Sequence, residues 1–206
     1  MAGAGGVVRW LNMGRFVYWM NVSADLRIER AEGEEGGGEW LRITEELHRE
    51  FNARARELSL AVEGRVIYEI MESFWPNART DESLPDFLRE YGEIWTSTPK
   101  VLVSRTRTTA DHNTRIVGGD DLIEQLATLR AQTEGDIGVG GATVATALLR
   151  ANLLDELLLF VHPVVLGAGR PLFDNYTDPV ELDLLEHAVF PEGVAMHRYA
   201  VRGARG

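Results

Sequence analysis

Apolar positions follow two rhythms along the chain. Residues 16–22 form a nearly continuous apolar and aromatic run, which predicts a buried strand. From Thr44 the spacing lengthens. Leu47, Phe51, Ala55 and Leu58 recur every three or four residues with charges between them, which predicts an amphipathic helix capped by Thr44. The pattern then alternates. Strand 58–62 leads through Gly64 into a helix carrying Val66, Ile67, Ile70 and Met71, which Trp75-Pro76 should end. A third helix spans 85–95, followed by strands at 100–103 and 114–117. Asp120 or Asp121 should cap a helix bearing Leu122, Ile123, Leu126 and Leu129. Strand 136–139, helix 142–151 and strand 154–161 come next, and strands 180–190 and 194–201 close the chain around Pro191-Glu192-Gly193. Repeated strand–helix–strand units predict an α/β fold: a mostly parallel sheet between helices, with an antiparallel C-terminal hairpin.

Composition narrows the function. A chain of 206 residues, 45% hydrophobic and 26% charged, suits one globular domain, expected over 13–206 with 1–12 a poorly ordered extension. The net charge of -11 argues against a nucleic-acid or anionic-membrane surface. The most apolar stretch, 141–166, is interrupted by Arg150, Asp155, Glu156 and His162 and is no bilayer span, although 153–165 suits a subunit interface as well as a core. The absence of cysteine removes thiolate metal sites and a cysteine nucleophile and fits a cytoplasmic protein. The five histidines, His162 among them, lack ligand spacing, so no metal is expected. Of the 21 basic residues only Lys100 is a lysine, the one Schiff-base candidate.

The candidate chemistry lies at strand-to-helix turns, where open α/β sheets bind ligands. Gly138-Val139-Gly140-Gly141-Ala142-Thr143 either lets an anion approach backbone N–H groups at a helix start or is a tight turn with close packing. Gly64-Arg65 opens another helix, with Arg65 either clamping a phosphate or pairing with Glu69 one turn on. Ser104-Arg105 follows a third strand and suits a phosphate monoester, or an ordinary polar turn. Asp25 is either a proton donor with a raised pKa or a turn residue accepting local N–H bonds. Trp40 is either a lid over substrate or an anchor for the helix after it, while Trp19, Met20 and Trp75 are expected in the core.

Taken together, Asn21-Val22-Ser23-Ala24-Asp25, Gly64-Arg65 with Tyr68-Glu69, Ser104-Arg105-Thr106, Val139-Gly140-Gly141, Leu154-Asp155-Glu156-Leu157 and the run from His162-Pro163 to Pro171-Leu172-Phe173 resemble the dihydrofolate reductase-like superfamily. The branch it is most similar to is the C-terminal reductase domain of the riboflavin-biosynthesis deaminase–reductase. The resemblance implies a three-layer α/β/α fold, NADPH as cofactor, hydride transfer to a pteridine- or pyrimidine-like heterocycle or its ribityl or ribosyl derivative, and a homodimer. It implies that Gly64, Arg65, Ser104, Arg105, Gly138, Gly140, Gly141, Ala142 and Thr143 hold the cofactor. Asn21, Ser23 and Trp40 would line the substrate pocket, with Asp25 as the catalytic candidate. Three positions depart from the family pattern: Leu26 stands for a glycine, Ile67 for a threonine, and Val139 for the glutamate that often precedes the glycine pair. These departures suit an alternative, a dinucleotide-binding or regulatory dimer without turnover.

Overall fold

The computed structural model describes residues 13–31 and 38–203; the expected N-terminal extension and part of the acidic loop lie outside them. The elements are β1 (Arg15–Ser23), α1 (Glu45–Glu57), β2 (Leu60–Gly64), α2 (Arg65–Ala78), α3 (Asp86–Ser97), β3 (Lys100–Val103), β4 (Thr114–Val117), α4 (Leu122–Gln132), β5 (Asp136–Gly140), α5 (Ala142–Arg150), β6 (Leu154–His162), β7 (Leu182–Val189) and β8 (Ala195–Val201). They form one sheet of order β4-β3-β2-β5-β1-β6-β8-β7. β4 through β6 run parallel, and β8 pairs antiparallel with both β6 and β7. The chain leaves β2 outward to β4, then returns to insert β5 between β2 and β1. That reversal opens a crevice at the carboxyl ends of the central strands.

Strand alternation sends side chains to two different layers. Phe16, Tyr18, Val62, Val101, Ile137 and Val139 pack against α4 and α5. Val17, Leu158 and Phe160 meet Leu47 and Phe51 of α1 on the other face, where Tyr68 of α2 and Trp95 of α3 also bury Leu102. The expected three-layer arrangement follows directly. Burial of each such side chain is worth about 1.5–3 kcal/mol. Within the stretch 153–165, β6 is core. β6 is an interior strand, and Leu154, Leu157, Leu158, Leu159 and Phe160 are all buried.

α1 starts as its sequence predicts: the Thr44 hydroxyl accepts the Leu47 N–H at 3.3 Å. Leu58, however, is the C-cap of α1, and β2 begins two residues later. Pro76 does not end its helix; α2 runs on to Ala78. The missing proline N–H falls in the last turn, and packing holds the turn: the Trp75 ring centroid lies 4.4 Å from that of Tyr91, and its Nε1 donates to Met71 Sδ. Asp121 occupies the cap position of α4 without capping it, because its carboxylate accepts instead from the Gln125 side chain at 2.7 Å. Leu26, where the family pattern has a glycine, adopts a left-handed backbone with φ 56°.

Candidate functional site

Small residues leave a hole in the sheet face that meets α1, α2 and α3. Ala61 on β2 and Gly138 and Gly140 on β5 project little or nothing there. The result is a cavity of about 730 Å³ walled by Ile67, Ile70 and Met71 of α2 and Trp95 of α3. Trp19 and Met20, expected in the core, line it as well; Trp75 does not. Gly138 lies inside β5, not in the turn beyond it. A Cβ there would meet Leu58 Cδ1 at 2.7 Å, so this glycine serves packing and cavity space.

Two ionisable groups from adjacent strands are buried in this wall. Glu63 of β2 is 7% exposed, and its Oε1 accepts from the Trp95 indole N–H at 3.2 Å. Its Oε2 has no hydrogen-bond partner among the described residues. Burial pushes the Glu63 carboxyl up to about 7, against a smaller opposing pull from Lys100 and the indole bond. Lys100 of β3 is also buried. Its ammonium donates to the Trp95 and Thr98 carbonyls and lies 4.5 Å from the Trp95 ring centroid. Burial lowers Lys100 to about 8. Sequence reasoning passed over Glu63; its signal was one acidic residue closing the apolar run Leu60-Ala61-Val62 just before Gly64.

Asn21 lines the same cavity at the end of β1. His162 of β6 fixes its amide. The His162 Nδ1 accepts the Arg42 backbone N–H at 2.8 Å, so Nε2 carries the proton and donates to Asn21 Oδ1 at 3.0 Å. The Asn21 NH₂ is thereby left to donate elsewhere. Burial, with a smaller contribution from the Arg42 charge, lowers His162 to about 4 and keeps the ring neutral. Trp40 is buried, stands edge-on to His162 at 5.5 Å and lines the cavity.

The three phosphate-compatible turns come together at the carboxyl ends of β2, β3 and β5. Val103 is the register partner of Gly64, which places Ser104-Arg105 beside the start of α2. A Cβ on Gly141, which has φ 98°, would lie 3.8 Å from the Gly64 nitrogen, so α2 and α5 begin side by side. Neither helix has a side-chain cap or an acidic residue in its first turn, whereas the first turns of α1, α3 and α4 are acidic. Adjacent uncapped N-termini concentrate free N–H groups and positive dipole ends. Gly140 itself lines the cavity.

Several expected side chains are already engaged. Arg65 pairs with Glu69 at 2.7 Å. The Ser104 hydroxyl accepts the Thr106 and Arg107 N–H groups. The Thr143 hydroxyl donates to Asp174 and accepts from Arg170, both at 2.8 Å. Asp25 is engaged more fully. Its carboxylate accepts from the Ser23 hydroxyl at 2.6 Å and from the Leu166 and Gly167 N–H groups at 3.0 and 2.8 Å. These bonds, the Ser23 bond foremost, lower it to about 2, and neither Asp25 nor Ser23 lines the cavity. Asp25 pins one loop to another and stays ionised, the opposite of a proton donor with a raised pKa.

Comparisons with known proteins agree with this architecture. The RibD C-terminal domain family matches residues 17–196. The uncharacterized protein YyaP of Bacillus subtilis is 28% identical over 173 residues, covering 84% of this chain and 88% of that protein. Acinetobacter baumannii RibD superposes with TM-score 0.65 at 17% identity, covering 92% of this chain and 58% of that one. Enterococcus faecalis dihydrofolate reductase, solved with NADP(H), superposes with TM-score 0.56 at 15% identity over 92% of this chain and 96% of its own. The chain has a dihydrofolate reductase-like fold and belongs to the RibD C-terminal domain family.

Proposed function

We propose that this chain is an NADPH-dependent reductase acting on a pteridine- or pyrimidine-like heterocycle or its ribityl or ribosyl derivative. The observation that carries the reading is the pair of uncapped helix starts, at Gly64 and Gly141, beside an apolar cavity. The residues present fit a dinucleotide. The backbone N–H groups of Ala142 and Thr143, contested by no side-chain cap, would hold a pyrophosphate. Arg65 would exchange Glu69 for a phosphate, and Arg105, exposed beyond β3, would meet the 2′-phosphate with Ser104. When bound, the reduced nicotinamide supplies the hydride.

The chain's own contribution is orientation and exclusion of water. Asn21, held by His162, offers an amide N–H to a carbonyl in the cavity. Trp40, Trp19 and the α2 side chains make a largely apolar enclosure around it. A homodimer belongs to the same reading, supported by Leu184, Leu185 and Val189, which lie exposed on the edge strand β7. Calorimetric titration with NADPH and NADH, then oxidation of NADPH across a panel of heterocycles, tests the reading. Binding without oxidation across the panel favours the non-catalytic alternative.

A further inference from the structure

Glu63 has no task in the cofactor reading, yet its carboxyl group is buried in the cavity wall and incompletely hydrogen-bonded among the described residues. A buried carboxyl oxygen without a partner is costly unless something else completes it. Oε1 accepts only one hydrogen bond, from Trp95, and keeps a second lone pair. Oε2 has none. Beside Glu63 the wall is open, because its register partner is Gly140, where an added Cβ would stand 3.6 Å from Glu63 Cγ. The charged and titratable groups around it are Lys100 on β3 and Tyr91 on α3, with Glu29 and Arg30 also lining the cavity; α2 contributes only apolar side chains. The Lys100 ammonium already serves two backbone carbonyls. Burial keeps a large share of Glu63 protonated near neutral pH.

A protonated carboxyl offers a donor beside an acceptor. Its complement is a planar ring edge with an N–H beside a carbonyl or ring nitrogen, as in lactams, cyclic ureides and amidines. We propose that Glu63 is the substrate-anchoring residue of this cavity, gripping such an edge through two parallel hydrogen bonds. The carboxyl turns about its side-chain torsions to bring Oε2, which is closed off from solvent, against the ring: the ring N–H donates to Oε1, and the Oε2 hydroxyl donates to the neighbouring carbonyl oxygen or ring nitrogen. The aromatic walls Trp19, Tyr91 and Trp95 cover the faces of the ring. The family glutamate missing at Val139 is not restored by this arrangement. Val139 packs on the opposite sheet face, and the carboxyl enters from the neighbouring strand one position further along. The inference deepens the reductase reading by naming the substrate edge, but its test needs no cofactor.

The probe pair is 2-quinolinone, whose lactam N–H lies beside its carbonyl, and N-methyl-2-quinolinone, the same ring without that N–H. Binding to the full chain is followed by tryptophan fluorescence and calorimetry. The wild type should prefer the N–H compound by about tenfold or more. Glu63→Leu should abolish the preference. Glu63→Gln, whose amide again offers a donor beside an acceptor, should retain most of it. Equal affinities in the wild type would overturn the proposal, as would a preference that survives in Glu63→Leu, which would report steric exclusion of the methyl group. NADPH titration of the same samples separates the two readings: absent NADPH binding counts against the reductase alone.

Discussion

Glu63 of β2 and Gly140 of β5 are register partners on the cavity wall, and the glycine's missing side chain opens the space beside the carboxyl group. A buried acid in an apolar site is held protonated, and that has a measurable consequence for folding. The Glu63 pKa is about 7 in the folded chain against 4.5 unperturbed. The folded state therefore binds the extra proton between these values. Glu63 contributes stability below pH 4.5 that is lost as pH rises through 7, up to about 3 kcal/mol. Glu63→Gln should remove this slope, so the variant gains on the wild type in thermal melts from pH 4.5 to 8. Lys100, lowered to about 8, acts in the opposite sense only at higher pH. Parallel melting curves across that range would contradict the assignment.

Leu26 holds a left-handed backbone with φ 56° while 45% exposed. A side chain in that conformation is strained and here is only about half buried. Leu26→Gly should therefore stabilise the chain by about 1 kcal/mol in urea melts. A loss of stability would show that packing of the leucine outweighs the strain.

His162 should stay neutral, with the proton on Nε2, through the physiological range. NMR should place its titration near 4 and show one tautomer above that. Because the folded-state pKa is depressed, the linked stability is present above 6.5 and is lost as pH falls toward 4. A midpoint near 6.5 would mean that Asn21 is not locked by this ring.

Much of the fold was legible in the chain, because alternation and four-residue spacing report burial directly. The Leu47-Phe51-Ala55 stripe, the Thr44 cap and the closing hairpin all sit where the pattern places them. Pro76 misled because the packing of Trp75 on Tyr91 is a tertiary effect that no local rule contains. The turns at Gly64, Ser104 and Gly141 were legible singly, and the parallel register brings them together. Asp25 was not legible, since two of its partners, Leu166 and Gly167, lie more than 140 residues away. Glu63 was missed because a charge at a strand end ordinarily faces water; only the placement of Trp95 and Lys100 reveals its burial.

Arg105 tests the cofactor's phosphate. It is exposed and makes no hydrogen bond or ion pair with the described residues, so removing it should leave the fold intact. Arg105→Ala should weaken NADPH by roughly tenfold while leaving NADH nearly unchanged. Equal loss for both would contradict its place at the 2′-phosphate.

The most direct test of the account is calorimetric titration of the wild-type chain with NADPH, with NADH alongside. The paired helix starts at Gly64 and Gly141 predict saturable binding of NADPH well below millimolar concentration, tighter than that of NADH. No NADPH binding at millimolar concentration would contradict the assignment of this site to a dinucleotide.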